Sequence, residues 1–317
     1  MPEVITLGEA LVEIMRPGVG IPLDQPDTFL GPYPSGAPAI FADAVARLGL
    51  SCGFIGCVGA DPFGRCLTSR LQADGVDTSW LKAIDDAATG VAFVAYYEDG
   101  SRQFIFHIAD AAAGRLGPEQ IDRAYIQNAR WLHITGSSLS VNESMRQACY
   151  RAVELASEAG LTISFDPNLR AELMGPEKVR DLVEPVLAHA AVILPSGEEA
   201  RLLTGVDNDA KACQALLQHG AKIVALKRGA EGSILFTRDE RITVPGFDVT
   251  ETDPTGAGDC YAAGLAAGLL WGWELERAAR FANAVGALAV TRQGPMEGAP
   301  WREDVDRLLQ SSTTRSR

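Results

Sequence analysis

Strand-like and helix-like segments alternate along almost the whole chain, and that alternation leaves few folds open. Short apolar, strand-like runs occur at Val4–Leu7, Gly53–Val58, Trp131–Ile134, Thr162–Asp166, Val192–Leu194, Ile223–Lys227 and Ser233–Phe236. Between them lie helix-patterned stretches at Ala39–Leu48, Phe63–Ala73, Val141–Ala159, Pro176–Ala188, Glu198–Thr204, Ala210–His219, Gly258–Trp271 and Glu274–Thr291. Strands separated by helices predict an α/β fold, a mostly parallel sheet with helices on both faces. Gly160, Gly205 and Gly220 fall where three of the helices should end, as C-cap chemistry expects. With no linker, repeat or low-complexity segment, one domain over residues 1–310 is expected, followed by a disordered tail at 311–317.

The segment Glu-Thr-Asp-Pro-Thr-Gly-Ala-Gly-Asp at 251–259, followed by the apolar run CYAAGLAAGLLWG, carries the clearest chemistry. Two glycines one residue apart let the backbone turn tightly and approach a ligand closely. The apolar run predicts a buried helix, so the glycine N–H groups would sit at a helix N-terminus, an anion site by unpaired donors and dipole. Asp259 would stand in the first turn beside that anion hole. A carboxylate there repels a phosphate as a ligand, but it suits a general base that takes the proton of a hydroxyl attacking a phosphoryl group. The plain alternative is an acid that merely complements the helix dipole. Two familiar phosphate binders are excluded. Tyr261 stands where a dinucleotide fingerprint needs its third glycine, and Arg65 and Cys66 replace the Lys and Ser/Thr that a P-loop needs after Gly59 and Gly64.

Two stretches interrupt the alternation. Residues 10–34 are rich in Pro and Gly, and residues 89–108 read as two alternating strands joined at Glu98-Asp99-Gly100-Ser101, a hairpin. Exclusion of water serves phosphoryl transfer, which favours a lid over an edge decoration.

A hydrophobic fraction of 47% and a net charge of −13 describe a globular chain with little scope for binding nucleic acid or an anionic membrane. The six cysteines form no metal-ligand spacing and read as reduced, mostly buried residues. Nothing at the N-terminus resembles a signal peptide, and the longest apolar run is too short to span a bilayer. A cytoplasmic location is therefore expected.

Together these segments resemble the ribokinase-like (PfkB) sugar kinases from about residue 4 to residue 309. Asp253–Asp259 is similar to that family's C-terminal signature, and SGAPAIFADAVARLG (35–49) with FIGCVGADPFGR (54–65) to its N-terminal one. FDPNLR (165–170), PSGEEARLLTG (195–205) and LKRG (226–229) resemble further family segments. The resemblance implies a three-layer Rossmann-like sheet with a small β-sheet lid, ATP as donor, Mg²⁺ as helper and a homodimer joined through the lid strands. It implies an anion hole from Gly256, Ala257 and Gly258, with Asp259 as base. Glu199 would order Mg²⁺ through water. Lys227, Gly229, Gly232 and Asn283 would lie on the ATP side, and Asp253 and Thr255 would help to hold a monovalent cation such as K⁺. Glu13, Gly36, His107, Asn168 and Arg170 would face the sugar.

Several residues depart from the family pattern. Ser35 stands for a glycine, Ile40 for an asparagine near the acceptor, and Ser196 for an asparagine of the metal segment. His107 replaces an arginine suited to a substrate carboxylate. The expected acceptor is therefore a neutral ketohexose such as fructose or tagatose, phosphorylated on a primary hydroxyl. The alternative is 2-keto-3-deoxygluconate, which the C-terminal EGAPWREDVDRLL favours. More distant is a sensor that binds sugar or nucleotide without turnover.

Overall fold

The computed structural model describes residues 1–168 and 176–311. The chain runs β1 (Val4–Leu7), β2 (Leu11–Met15), β3 (Leu30–Ser35), α1 (Ala37–Arg47), β4 (Cys52–Gly59), α2 (Pro62–Ala73), β5 (Leu81–Ile84), β6 (Gly90–Tyr96) and β7 (Arg102–His107). It continues through α3 (Arg123–Gln127), β8 (Trp131–Thr135), α4 (Gly136–Val141), α5 (Glu143–Glu158), β9 (Thr162–Asp166), α6 (Pro176–Leu187), β10 (Val192–Ile193), α7 (Gly197–Thr204) and α8 (Asp209–Gln218). The last elements are β11 (Ile223–Lys227), β12 (Ser233–Phe236), β13 (Arg241–Val244), α9 (Ala257–Leu270), α10 (Leu275–Ala289) and α11 (Arg302–Ser311).

Nine strands form one sheet in the order β13-β12-β11-β10-β9-β8-β1-β4-β5. Seven of them, from β11 to β5, are parallel, and β12 and β13 extend the sheet antiparallel at one edge. Strand β4, CGFIGCVG, which lies between β1 and the edge strand β5, is buried along its whole length, as a parallel strand covered on both faces must be. Two apolar cores lie on its two sides. One joins the sheet to α1, α2, α9, α10 and α11, the other to α3 through α8. The three layers expected from the alternation are therefore present. All six cysteines are free thiols, and Cys260 is wholly buried. Among the described residues no helix is long and apolar enough to cross a membrane.

α9 is apolar all round because it is enclosed all round, and its small residues set how closely α10 approaches. A Cβ on Gly264 would lie 2.8 Å from Ala282 Cα, and one on Gly268 would lie 2.8 Å from Ala278 Cβ. Neither neighbour can rotate away. Gly264→Val is expected to cost about 1–3 kcal/mol, the scale of overpacking a close-packed core, read as a lower urea midpoint at unchanged slope.

The second sheet has the order β3-β2-β6-β7. The hairpin β6–β7 is the one the sequence predicts, its turn fixed by Asp99 Oδ1 accepting from the Ser101 amide at 2.9 Å and by Gly100 at φ +81°. The Pro- and Gly-rich stretch before it supplies the other two strands. Between them the buried Arg16 guanidinium holds the loop by donating to the carbonyls of Thr28, Pro22 and Gln25. The helix expected over Val141–Ala159 is α5, which starts two residues later because Asn142 is extended and caps it by accepting from the Met145 amide; the short α4 before it is not expected from the sequence. The strands β5 and β13 and the helices α3 and α11 are further elements that the alternation does not reveal.

Candidate active site

Parallel strands deliver their side chains to one end of the sheet, and four of them end here in polar groups. Glu9 follows β1, Asp166 closes β9, Ser196 and Glu199 follow β10, and Lys227 closes β11. The N-terminus of α9 comes down over them. Gly256 is its N-cap in the left-handed conformation, φ +81°, and a Cβ there would lie 2.5 Å from the Pro295 carbonyl oxygen. Ile40 backs the same turn, with Cγ2 3.2 Å from that position. The first turn thus lies on a rigid, partly apolar support, with the Ala257 amide donating to the Pro254 carbonyl at 3.4 Å, and a helix N-terminus so held is an arrangement that binds anions.

Asp259 stands in that turn, 6% exposed, and its Oδ1 has no hydrogen-bond partner among the described residues. Burial pushes its carboxyl well above the ordinary carboxylate range. Asp166 and Glu9 add to the rise, and Lys227 opposes it. A carboxylate so placed is a stronger base than one in water, and its orphaned oxygen can accept a hydroxyl proton.

Lys227 Nζ donates to Asp166 Oδ2 at 2.5 Å and lies 3.5 Å from where a Cβ on Gly258 would be. Burial alone would lower the ammonium's pKa, but Asp166 and Glu199 hold it above the usual lysine value. Glu199 is drawn into a capping box: its Oε2 accepts from the Ser196 amide at 2.7 Å, and its own amide donates to Ser196 Oγ at 3.3 Å. Ser196, which departs from the family pattern, therefore orients Glu199 toward this end of the sheet.

On the other side, Gly36 caps α1 at φ +107°, where a Cβ would run into the Glu9 carbonyl oxygen. Beside it Ser35 Oγ donates to Glu13 Oε2 at 3.3 Å, so Ser35 in place of glycine gives the buried Glu13 a partner. Asn168, just past β9, is the one non-glycine residue with positive φ among those described, at 36°, a strained conformation that concentrates at functional loops. His107 is exposed at the end of the edge strand β7. Arg170 and the tail from 312 onward lie outside the described residues.

Two of the other nucleotide-side candidates, Asn283 and Gly232, meet at one segment. Asn283 Nδ2 donates to the carbonyls of Val244 and Pro245, both at 3.1 Å, and a Cβ on Gly232 would strike the same Val244 oxygen. Gly229, at φ +55°, has open space around it. Asp253 and Thr255 form a clasp with the small sheet. Asp253 accepts from Tyr96 Oη at 2.9 Å, from the Thr255 amide at 3.0 Å and from the Gly294 amide at 2.9 Å. Tyr96 Oη also lies 3.0 Å from Thr255 Oγ1.

Glu9, Asp166 and Tyr96 are the residues that reading the sequence misses. Glu9 is buried and accepts from Ser137 Oγ at 2.7 Å and Ser138 Oγ at 2.6 Å. A carboxylate at the end of an apolar run was the available signal for it and for Asp166. No comparable signal marks Tyr96.

The model of the pfkB family carbohydrate kinases matches residues 4–302. The chain belongs to that family. It is a phosphotransferase acting on a carbohydrate. It is 33% identical over 318 residues to fructokinase-1 of Oryza sativa subsp. japonica, covering 98% of each chain. To the fructokinase of Escherichia coli it is 34% identical, covering 96% of this chain and 98% of that one. Among solved structures, an E. coli protein provisionally assigned as a ribokinase II, in complex with ATP and Mg²⁺, superposes with a TM-score of 0.93 at 43% identity. That match covers 98% of this kinase and 100% of the other chain. The Vibrio cholerae fructokinase bound to fructose, ADP and calcium superposes with a TM-score of 0.85 at 30% identity, covering 98% and 99%. The mostly parallel main sheet with its smaller companion is the ribokinase-like fold.

Proposed function

We propose that this kinase transfers the γ-phosphoryl group of ATP to a primary hydroxyl of a ketohexose, fructose or tagatose, with Asp259 as general base. The observation that carries the reading is the buried Asp259 with an orphaned oxygen, set in the N-terminal turn of α9. The fructokinase relatives and the fructose-bound neighbour favour a ketohexose.

The residues present fit a nucleoside triphosphate. The amides of Gly256, Ala257 and Gly258 would cradle the transferring phosphoryl, and Lys227 would add a positive charge held among the site's carboxylates. Lys227, Gly229, Gly232 and Asn283 would form the nucleotide side. Among the described residues no three His, Cys, Asp or Glu side chains converge to cage a metal. Magnesium would therefore keep phosphate and water ligands, with Glu199 ordering that water. When bound, the ion neutralises phosphate charge. Asp253 and Thr255 form their hydrogen bonds with protein groups, so they fit a structural clasp.

Asp259 Oδ1 would take the hydroxyl proton as the sugar oxygen attacks, while the α9 amides stabilise charge on the phosphoryl oxygens. Glu13 and Gly36 would bind the sugar, with Asn168, Arg170 and His107 around it. The small sheet would serve as the lid over residues 10–34 and 89–108. A second copy pairing there would cover Ile105, 43% exposed on β7.

The test is ADP release from MgATP with fructose, tagatose, psicose, glucose, ribose, adenosine and 2-keto-3-deoxygluconate. Highest kcat/KM on one ketohexose is expected. Preference for 2-keto-3-deoxygluconate would move the acceptor to a sugar acid, and nucleotide binding without turnover on any of them would favour a sensor.

A further inference from the structure

The Asp166–Lys227 pair is costly by itself. Two opposite charges taken from water recover their desolvation only in part. Asp166 is 1% exposed, and its carboxyl is pushed up by burial while Lys227 opposes that rise. The pair bridges the ends of β9 and β11, which do not pair with each other, since β10 lies between them. A salt bridge that only glued adjacent strands would not need this position. It places the Lys227 ammonium 3.5 Å from where a Cβ on Gly258 would stand, at the turn that carries Asp259.

Three carboxylates act on Lys227: Asp166, Glu199 and Asp259. Paired with Asp259, it would depress the base and withdraw its charge from the phosphate. We propose that Asp166 is a positioning residue: it holds the Lys227 ammonium at the first turn of α9, facing the transferring phosphoryl group and off the Asp259 base. This rests on the kinase reading with Asp259 as base. Lys227 then acts on the phosphoryl oxygens, and Asp166 reaches them through Lys227, while its own charge also raises Asp259.

The charged and titratable groups around the base are Glu9 after β1, Asp166 on β9, Lys227 on β11 and the neighbouring Cys260 thiol. Glu199 and the buried His133 ring act on or feel Lys227. Removing the Asp166 charge takes away one group that raises Asp259 and frees Lys227 to lower it. Removing Lys227 does the opposite. The two single variants should therefore shift the acid limb of kcat/KM in opposite directions, which general structural damage cannot do.

The experiment compares Asp166→Asn, Lys227→Met and the double variant, with Asp166→Glu as a charge-preserving variant if the neutral one folds poorly. Lys227→Met is expected to lower both kcat and affinity for a non-hydrolysable ATP analogue by about 10-fold or more, the scale of one charge-assisted hydrogen bond. Asp166→Asn should fall between wild type and Lys227→Met, and the double variant should match Lys227→Met. The acid limb should move to lower pH in Asp166→Asn and to higher pH in Lys227→Met. Losses that multiply in the double variant, or acid limbs that move together, overturn the proposal, as does a wild type that binds no analogue. If wild type binds the analogue but turns over no sugar, the proposed transfer with Asp259 as base fails, and the analogue affinities of the variants still decide the role of the pair.

Discussion

Asp259→Asn is expected to lower kcat by ~10²-fold or more, the usual scale for removing a general base, with ATP affinity nearly intact. Asparagine keeps the size and the first-turn position but cannot accept the hydroxyl proton. The same substitution carries a second, independent signature in stability. The folded protein raises the Asp259 pKa, chiefly by burial, so folding disfavours the charged form. A raised folded pKa contributes stability that is present below the ordinary carboxylate value and lost as pH rises through the folded one. The neutral Asn variant is exempt from that loss. It should melt above wild type at neutral pH, and the advantage should vanish as the pH approaches about 4, the unperturbed carboxylate range. An unchanged kcat would remove Asp259 from the mechanism. A variant that loses both activity and melting temperature would show that the carboxylate is structural.

That signature depends on neighbours which the sequence only partly reveals. The anion-hole turn is legible because its ingredients are contiguous: two glycines, an acid and an apolar run that must be buried. The β6–β7 hairpin is legible for the same reason, since its alternation and its turn residues adjoin. Strands β2 and β3 are not. LVEIM is short, lies before a stretch rich in Pro and Gly, and finds its parallel partner β6 far along the chain. Glu9 and Asp166 read as ordinary turn acids until β1 and β9 are set two places apart in one sheet. Tyr96 looks like one more aromatic on an alternating strand, and only the fold carries its hydroxyl to Asp253 and Thr255. The support behind the anion hole is equally remote. Arg70 pairs with Asp43 and Asp74 and donates to the Met296 carbonyl at 2.7 Å, anchoring the segment whose Pro295 oxygen backs Gly256. The local chemistry of the site is written in one segment, and its electrostatics are written across five.

The two glycines of that segment should separate packing from catalysis. Gly256→Ala meets a left-handed backbone, which costs an L-residue about 1–2 kcal/mol, and adds a contact 2.5 Å from the immovable Pro295 carbonyl oxygen. It is expected to lower the urea midpoint and, by displacing the first-turn amides, kcat as well. Gly258→Ala meets neither obstacle. Its position is helical, and its Cβ would touch only the flexible end of Lys227, at 3.5 Å. Alanine within a helix is favoured over glycine by about 0.5–1 kcal/mol, so stability should hold or rise. Yet the new methyl group would stand between the Lys227 ammonium and the turn, in the space reserved for the phosphoryl oxygens. The expected result is a folded, slightly more stable enzyme whose kcat falls by about 10²-fold, the scale of losing one preorganised donor. Denaturant curves and initial rates on the same preparations decide it. Should Gly258→Ala be stable and fully active, the phosphoryl group does not lie between α9 and Lys227, and the cradle must be sought elsewhere along the C-terminal ends of the strands.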